Sequence, residues 1–418
     1  MSEQDILTGR RRTAAVGFIF VSATLDIMAL GIMIPVLPNL IKQMAGGDTA
    51  MASEINLVFT TMFGIMQFFC APVLGLLSDR FGRRPILLIS IFGLGIDFLF
   101  MAFAPTLLWL FLGRVVNGAT AAGFSTANAY VADVTAPENR AKAYGMMGAA
   151  FGLGFTLGPV LGGFLATIDL RLPFLVCAAL ALLNWLYGYF VLPESLPKER
   201  REKTLNWRKA NPLGSLRLLR SKADLLGLAT VGFLFQMAHV VLPVIFVLYS
   251  GFRYGWSPAM VGLSMLFTGV ANILVQAFLV GPVVKRIGER GALLVGLFSG
   301  AIGFAIFGLA PTGAWYFVGI PIFALMGFTQ PGLQGLMTRK VAPHEQGQLQ
   351  GANSALMGVA GIIAPTIFGL TFAWAVRHDA VLHQPGLPIL IAAGLMLASF
   401  ALALRVAKAP PLPEPTPA

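Results

Sequence analysis

About twelve stretches of roughly twenty apolar residues follow one another along the 418-residue chain, separated by short polar or Pro- and Gly-containing breaks. A hydrocarbon core about 30 Å thick takes around 20 residues of α-helix to cross, and a helix satisfies its own backbone N–H and C=O groups where no water can. The stretches run approximately over 14–37, 54–77, 85–104, 107–132, 143–166 and 173–193, then over 224–249, 259–284, 291–310, 314–337, 351–375 and 386–406. Only 11% of the residues are charged and 57% are hydrophobic, where a soluble domain carries roughly a quarter charged residues. A water-soluble protein is excluded. The expected fold class is an all-α integral membrane protein, with twelve transmembrane helices in two six-helix bundles.

One long polar stretch, 194–222, separates the two sets and holds nine Lys and Arg residues. The expected division is therefore an N-terminal bundle over 1–193, a central loop over 194–222, a C-terminal bundle over 223–408 and a Pro-rich disordered tail over 409–418. An internal repeat agrees with two bundles. Gly75 to Gly82 returns as Gly281 to Gly288, Ala136-Pro137 as Ala342-Pro343, and Pro159 with Gly163 as Pro365 with Gly369, every pair 206 residues apart. Parallel six-helix repeats are a transporter architecture that binds its substrate between the halves near the bilayer midplane.

With both termini on one side, 24 basic residues fall there and only Lys42, Arg171, Arg253 and Arg377 fall opposite. The positive-inside rule then puts both termini in the cytoplasm, and it accounts for the net charge of +11 without nucleic acid. The first run is of full membrane length and carries Asp26, so it is expected to persist as a helix rather than to be cleaved. Cys70 and Cys177 lie in apolar runs and the four histidines are mostly scattered. No disulfide framework, metal site or cofactor is expected, and no set of nucleophile, base and oxyanion donors suggests an enzyme. The expected partners are the lipid bilayer, protons and a small-molecule substrate, for a monomer in the cell inner membrane.

Asp26 stands about midway in the first helix, nine residues before Pro35. A carboxyl there costs around 2.5–3.5 kcal/mol on insertion scales. It reads as a protonatable group facing a central cavity, able to load and release a proton, or else as polar glue to a neighbouring helix. Asp97 in the third run and Arg114 in the fourth read either as further proton-coupling residues or as a structural ion pair, with Asp26 ranked first. The segment that holds Gly75, Asp79, Arg80, Gly82, Arg83 and Arg84 spans the cytoplasmic end of the second helix and the start of the third. Its glycines allow a tight turn and its charges allow a latch. The repeat carries Lys285 where this copy has Asp79, so the two latches cannot be electrostatically equivalent.

The fifth helix holds Gly154, Gly158, Pro159, Gly162 and Gly163, which suit close packing against another helix. Gln67, Asn117, Asn128, Gln236, Asn272, Gln276, Gln330 and Gln334, with Asn353, are candidates either for a cavity wetted by amides or for interhelical hydrogen bonds. His239 reads as a packing histidine, and His378, Asp379 and His383 as a solvated loop.

Taken in combination, Leu25-Asp26, Ile34 to Pro38, Gln67 with Ala71-Pro72, Ser78 to Pro85, Asp97, Gly113-Arg114 with Gly118, Asp133 with Arg140, Phe151 to Gly154, Gly158-Pro159 with Gly162-Gly163, Gly255-Trp256, Gln276 to Phe278 and Leu333 to Gly335 carry a family likeness. The chain resembles the major facilitator transporters of the drug:proton antiporter kind, and most closely the tetracycline efflux transporters, along nearly all of its length. The resemblance implies the major facilitator fold, a gating role for Asp79, Arg83, Asp133 and Arg140, and proton or drug handling by Asp26, Asp97, Arg114, Gln67 and Gln276. Two departures stand out. That family's acidic residue of the ninth helix falls on Gly300 and its eighth-helix histidine on Asn272. The expected function is thus proton-driven export of amphipathic organic compounds, tetracycline-like ones among them, by alternating access. A metabolite symporter or importer on the same fold is the alternative, and a membrane sensor that transports nothing is the third reading.

Overall fold

The computed structural model describes residues 9–135, 140–201, 219, 223–341 and 346–407, and every regular element among them is helical. Helix α1 (Gly9–Met33) gives way near Pro35 to the short α2 (Leu37–Met44), which begins with a proline in its first turn. Asp48 starts α3 (Thr49–Phe81) by accepting from the N–H groups of Ala50 at 2.8 Å and Met51 at 3.1 Å, two donors that the helix itself cannot satisfy. Gly82 ends it at φ +110° and opens α4 (Arg83–Phe103). The fourth apolar run is broken in two, α5 (Leu107–Thr120) and α6 (Gly123–Val134); α7 (Arg140–Leu165) and α8 (Leu172–Val191) follow.

In the second half α9 (Ala223–His239) and α10 (Val241–Tyr254) share one run. Helix α11 (Pro258–Leu274) continues through a π-helical turn, Val275–Leu279, into α12 (Val280–Leu309). Helix α12 is kinked at Gly288, where φ is +70°. Then come α13 (Gly313–Ala324), a 3-10 segment at Leu325–Phe328, α14 (Thr329–Thr338), α15 (Gln346–Arg377) and α16 (Leu387–Val406). Ten described segments are long and apolar enough to cross a membrane. One of them, Pro258–Leu309, is interrupted at Gly288, and α7 supplies a further run, consistent with twelve passes. The Pro-rich tail and most of the central loop lie outside the described residues.

The 206-residue offset recurs in the backbone. Gly82 and Gly288 share a left-handed φ, Thr106 and Thr312 are both extended before their helices, and the interruption at 121–122 matches the 3-10 segment at Leu325–Phe328. Two compact units emerge from the contacts. The first takes in Met1–Pro212, Leu242–Val270 and Gly361–Pro385. Within it α1 packs on α7 and α8, and α4 on α5 and α8. Phe18, Ile19, Leu87, Tyr130, Val131 and Met147 form a core there. The second takes in Leu213–Val241, Ala271–Ala360 and Gly386–Ala418, with α12 packed on α13, α14 and α16.

Candidate functional site

Two carboxyls stand on the apolar helices of the first unit, Asp97 fully buried and Asp26 partly so, and they differ in partners. Asp97 is fully buried and Arg114 nearly so. They form an ion pair, and the Asn117 amide donates to Asp97 Oδ2 at 2.7 Å. The Arg114 guanidinium also lies 5.4 Å from the Phe63 ring centroid. Gly113 makes room for this arrangement, since a Cβ there would stand 2.6 Å from Asp97 Oδ1. One turn beyond Arg114, Asn117 thus makes an interhelical hydrogen bond to the neutral pair, the second of the two roles open to the amides.

Asp26 has no ion-pair partner among the described residues. Its carboxyl reaches the break between α5 and α6: a Cβ added at Gly123 would lie 3.1 Å from Asp26 Oδ2 and 3.5 Å from the Ser90 Cβ. That is the first residue of α6, where free N–H groups favour negative charge. The Ser90 and Thr126 hydroxyls are buried and have no hydrogen-bond partner among the described residues. Beside Asp26 lies a void of about 10 Å³, lined by Met28, Ile32, Leu94, Cys177 and Leu180 among others, which is about the smallest space that admits a water molecule.

The glycines of α7 set how closely α1 approaches. A Cβ at Gly154 would meet Met28 N at 2.7 Å, and one at Gly158 would meet Met28 O at 2.5 Å. Gly162 abuts the Ile32 backbone, Pro159 fits over Gly31, and Gly163 faces Pro258 and Ala259. The helix that bears Asp26 is thus held by backbone contact. At the start of α3, three polar links reach second-half helices inside the same unit. Ser53 Oγ donates to Gly369 O at 3.0 Å, Asn56 Nδ2 donates to Val244 O at 3.1 Å, and Glu54 pairs with Arg377 at 2.6 Å.

At the other end of α3, Arg83 is the centre of the latch. Its Nη1 donates to Asp79 Oδ1 at 2.6 Å and to Ser78 Oγ at 3.0 Å, and its Nε donates to Asp133 Oδ2 at 3.1 Å. Arg80 lies 5.4 Å from the Phe81 ring centroid, a Cβ at Gly75 would meet no described atom within 4 Å, and the Arg140 side chain lies outside the described residues. Sequence reasoning missed two members. Glu194 Oε1 accepts from the N–H groups of Arg83 at 2.8 Å and Leu196 at 3.0 Å, and its Oε2 accepts from Arg84 N at 3.3 Å. Ser195 Oγ donates to Asp133 Oδ2 at 3.2 Å. The signal was present: α4 begins Gly-Arg-Arg with no capping side chain of its own, so its N–H groups need an acceptor from elsewhere. Any side chain at Gly82 would strike the Glu194 carboxylate. Glu194→Ala should cost about 1–2 kcal/mol, as loss of a helix cap does, read as a lowered thermal midpoint of the detergent-purified protein.

The amides divide by unit. Gln67 is exposed and Asn128 half-buried in the first. In the second, Gln276 sits in the π-helical turn and its Nε2 donates to Gly327 O at 3.3 Å, beside Asn272. Gln334 Oε1 accepts from Asn353 at 3.4 Å, Gln330 is exposed and Gln236 half-buried. A side chain at Gly300 would collide with Met326 and Met396, so an acid cannot stand there without repacking. Applying the 206 offset, Asp26, Ser90, Asp97, Arg114 and Asn117 correspond to Gly232, Gly296, Gly303, Ile320 and Phe323. Buried ionisable chemistry at these positions belongs to one half alone. The His378 and Trp374 rings lie 4.8 Å apart, tilted by 30°, and the described residues contain no cluster able to hold a metal ion.

A model of the Major Facilitator Superfamily matches residues 19–365. The chain is 41% identical over 352 residues to the class C tetracycline resistance protein of Escherichia coli, covering 84% of this chain and 88% of the relative. To multidrug resistance protein 2 of Bacillus subtilis it is 26% identical, covering 88% and 91%. Among solved structures, the human organic anion transporter MFSD10 superposes with a TM-score of 0.68 at 23% identity, covering 94% of this chain and 99% of that one. The nucleoside transporter NupG superposes at 0.74 and 15%, covering 95% and 100%.

Proposed function

The chain belongs to the Major Facilitator Superfamily, and from that premise we propose that it exports amphipathic organic compounds, tetracyclines among them, each exchanged for a proton carried by Asp26. It is a multi-pass membrane transporter of small molecules and not an enzyme. The observation that carries the proposal is the contrast between its carboxyls: Asp97 is neutralised by Arg114, whereas Asp26 has no cation beside it among the described residues. A neutral buried pair has little reason to exchange a proton, and a lone carboxyl in a low-dielectric setting has every reason to.

In our reading the two six-helix bundles, 1–193 and 223–408, rock about the substrate in the inner membrane with both termini cytoplasmic, and one monomer completes the cycle. Gln67, Asn128, Gln236, Asn272, Gln276, Gln330 and Gln334 offer uncharged hydrogen-bonding groups to the substrate. Asp26 takes up a proton from the outer side as substrate leaves, and releases it inward as substrate binds. One net charge then moves per exchange of a neutral or zwitterionic substrate, worth about 2.3 kcal/mol per 100 mV, whereas a singly cationic magnesium–tetracycline chelate exchanges for one proton with no net charge moved. The experiment is uptake of tetracycline with Mg²⁺ into inverted proteoliposomes under an imposed pH gradient. Accumulation that an uncoupler abolishes is expected; proton flow in the same direction as the substrate would overturn antiport.

The latch should govern rate and leave affinity alone. Asp79→Ala is expected to slow exchange about fivefold to tenfold, since it alters the balance of two states. Equilibrium binding in detergent should keep its dissociation constant; a collapsed affinity at unchanged turnover would make Asp79 a ligand contact.

A further inference from the structure

The latch around Arg83 has a counterpart with every charge reversed. Asp79, Arg83 and Asp133 carry negative, positive and negative charge, and the residues 206 positions on are Lys285, Glu289 and Arg339. The central pair is made in both halves: Arg83 with Asp133 in the first unit and Glu289 with Arg339 in the second. Each follows a glycine held in the left-handed region, Gly82 at φ +110° and Gly288 at φ +70°. The same turn therefore presents an Arg to an acid in one half and a Glu to an Arg in the other.

An exposed ion pair by itself is worth little, and the Arg339 side chain is 60% exposed. Glu289 is different, at 19%. It lies in a cradle that only glycine allows: a Cβ at Gly335 would stand 2.7 Å from Glu289 Cγ, and one at Gly332 would stand 2.7 Å from the Glu289 carbonyl oxygen. At the corresponding positions the first half has Thr126 and Ala129. The glycines thus serve the approach of this one side chain. Two further ties join the same end. Lys340 Nζ reaches Asp224 Oδ2 at 2.9 Å, and Arg290 Nη2 donates to Leu404 O at 3.3 Å. The positions matching Lys340 and Asp224 are Val134 and Phe18, both in the apolar core of the first unit.

We infer that Glu289 and Arg339 are a second latch, which clamps α12 and α14 at this end of the second unit and sets the rate of transport without touching substrate. Glu289 is a positioning residue: it holds α14 through the glycine cradle, and Arg339 keeps its carboxylate there. The inference rests on the transport reading above, and one arm of its test does not.

Glu289→Arg, Arg339→Glu and the double exchange of both residues are compared in the full-length protein. Each single change should slow tetracycline–Mg²⁺ exchange in proteoliposomes about tenfold with the dissociation constant unchanged, a size common for coupled residues of one network. It should also speed amide hydrogen exchange across 329–338. The double exchange should bring both readings back to within about threefold of the starting protein. Singles that match the starting protein in both readings, or a double no better than the worse single, would overturn the inference. If no variant and not even the starting protein moves tetracycline, the transport reading falls, while amide protection across 329–338 still decides the latch.

Discussion

Asp26→Asn is expected to leave the protein folded and inserted but unable to concentrate substrate. The amide has nearly the carboxyl's shape, so the contacts near Gly123 and the small void at Leu94 and Cys177 persist. What disappears is the ability to alternate between charged and neutral forms. For a neutral or zwitterionic substrate one charge moves per cycle, and 100 mV then sustains a gradient of about fiftyfold. The variant should reduce that gradient to unity. Exchange of labelled for unlabelled substrate across vesicles with no proton gradient should continue, because it needs alternation and binding only. A variant that still accumulates substrate as the starting protein does would remove Asp26 from coupling.

Arg114→Gln should be the most damaging single change to stability. It strands the Asp97 carboxylate at full burial, with Asn117 its only remaining donor among the bonds described for it. Removing one partner of a buried pair costs about 3–5 kcal/mol, a large fraction of the roughly 5–15 kcal/mol that holds a folded domain. The yield of monodisperse protein and its thermal midpoint should both collapse. Pairing the change with Asp97→Asn should recover much of the loss, since two amides have no charge to strand. A single variant as stable as the starting protein would show that the pair contributes nothing to the fold.

These two sites were legible to different depths. A carboxyl in an apolar run announces itself, so Asp26, Asp97 and Arg114 stood out from the sequence. The Asp97–Arg114 pair stood there as one of two readings, and the choice between them needed the structure, because the two residues lie on separate helices. Asn117 was indistinguishable from the other amides until its hydrogen bond to Asp97 on the neighbouring helix was known. Glu194 and Ser195 escaped notice for the opposite reason: they stand in a polar stretch, where a charge costs nothing and carries no signal. The break before Gly123, which brings α6 up to Asp26, falls in an unbroken apolar run with no proline. The repeat was visible through its glycines and prolines, and Lys285 opposite Asp79 already marked the latches as different. That Glu289 and Arg339 invert the central pair needed the ion pair itself.

The central claim is that one uncompensated carboxyl in the first half couples proton to substrate. Its most direct test is the number of protons released when tetracycline with Mg²⁺ is added to the purified protein in weakly buffered detergent solution. About one proton per protein is expected at pH values where Asp26 is protonated in the substrate-free protein, and none from Asp26→Asn, since the proton released is the one that Asp26 gives up as substrate binds. Equal proton release from the two proteins would contradict the claim.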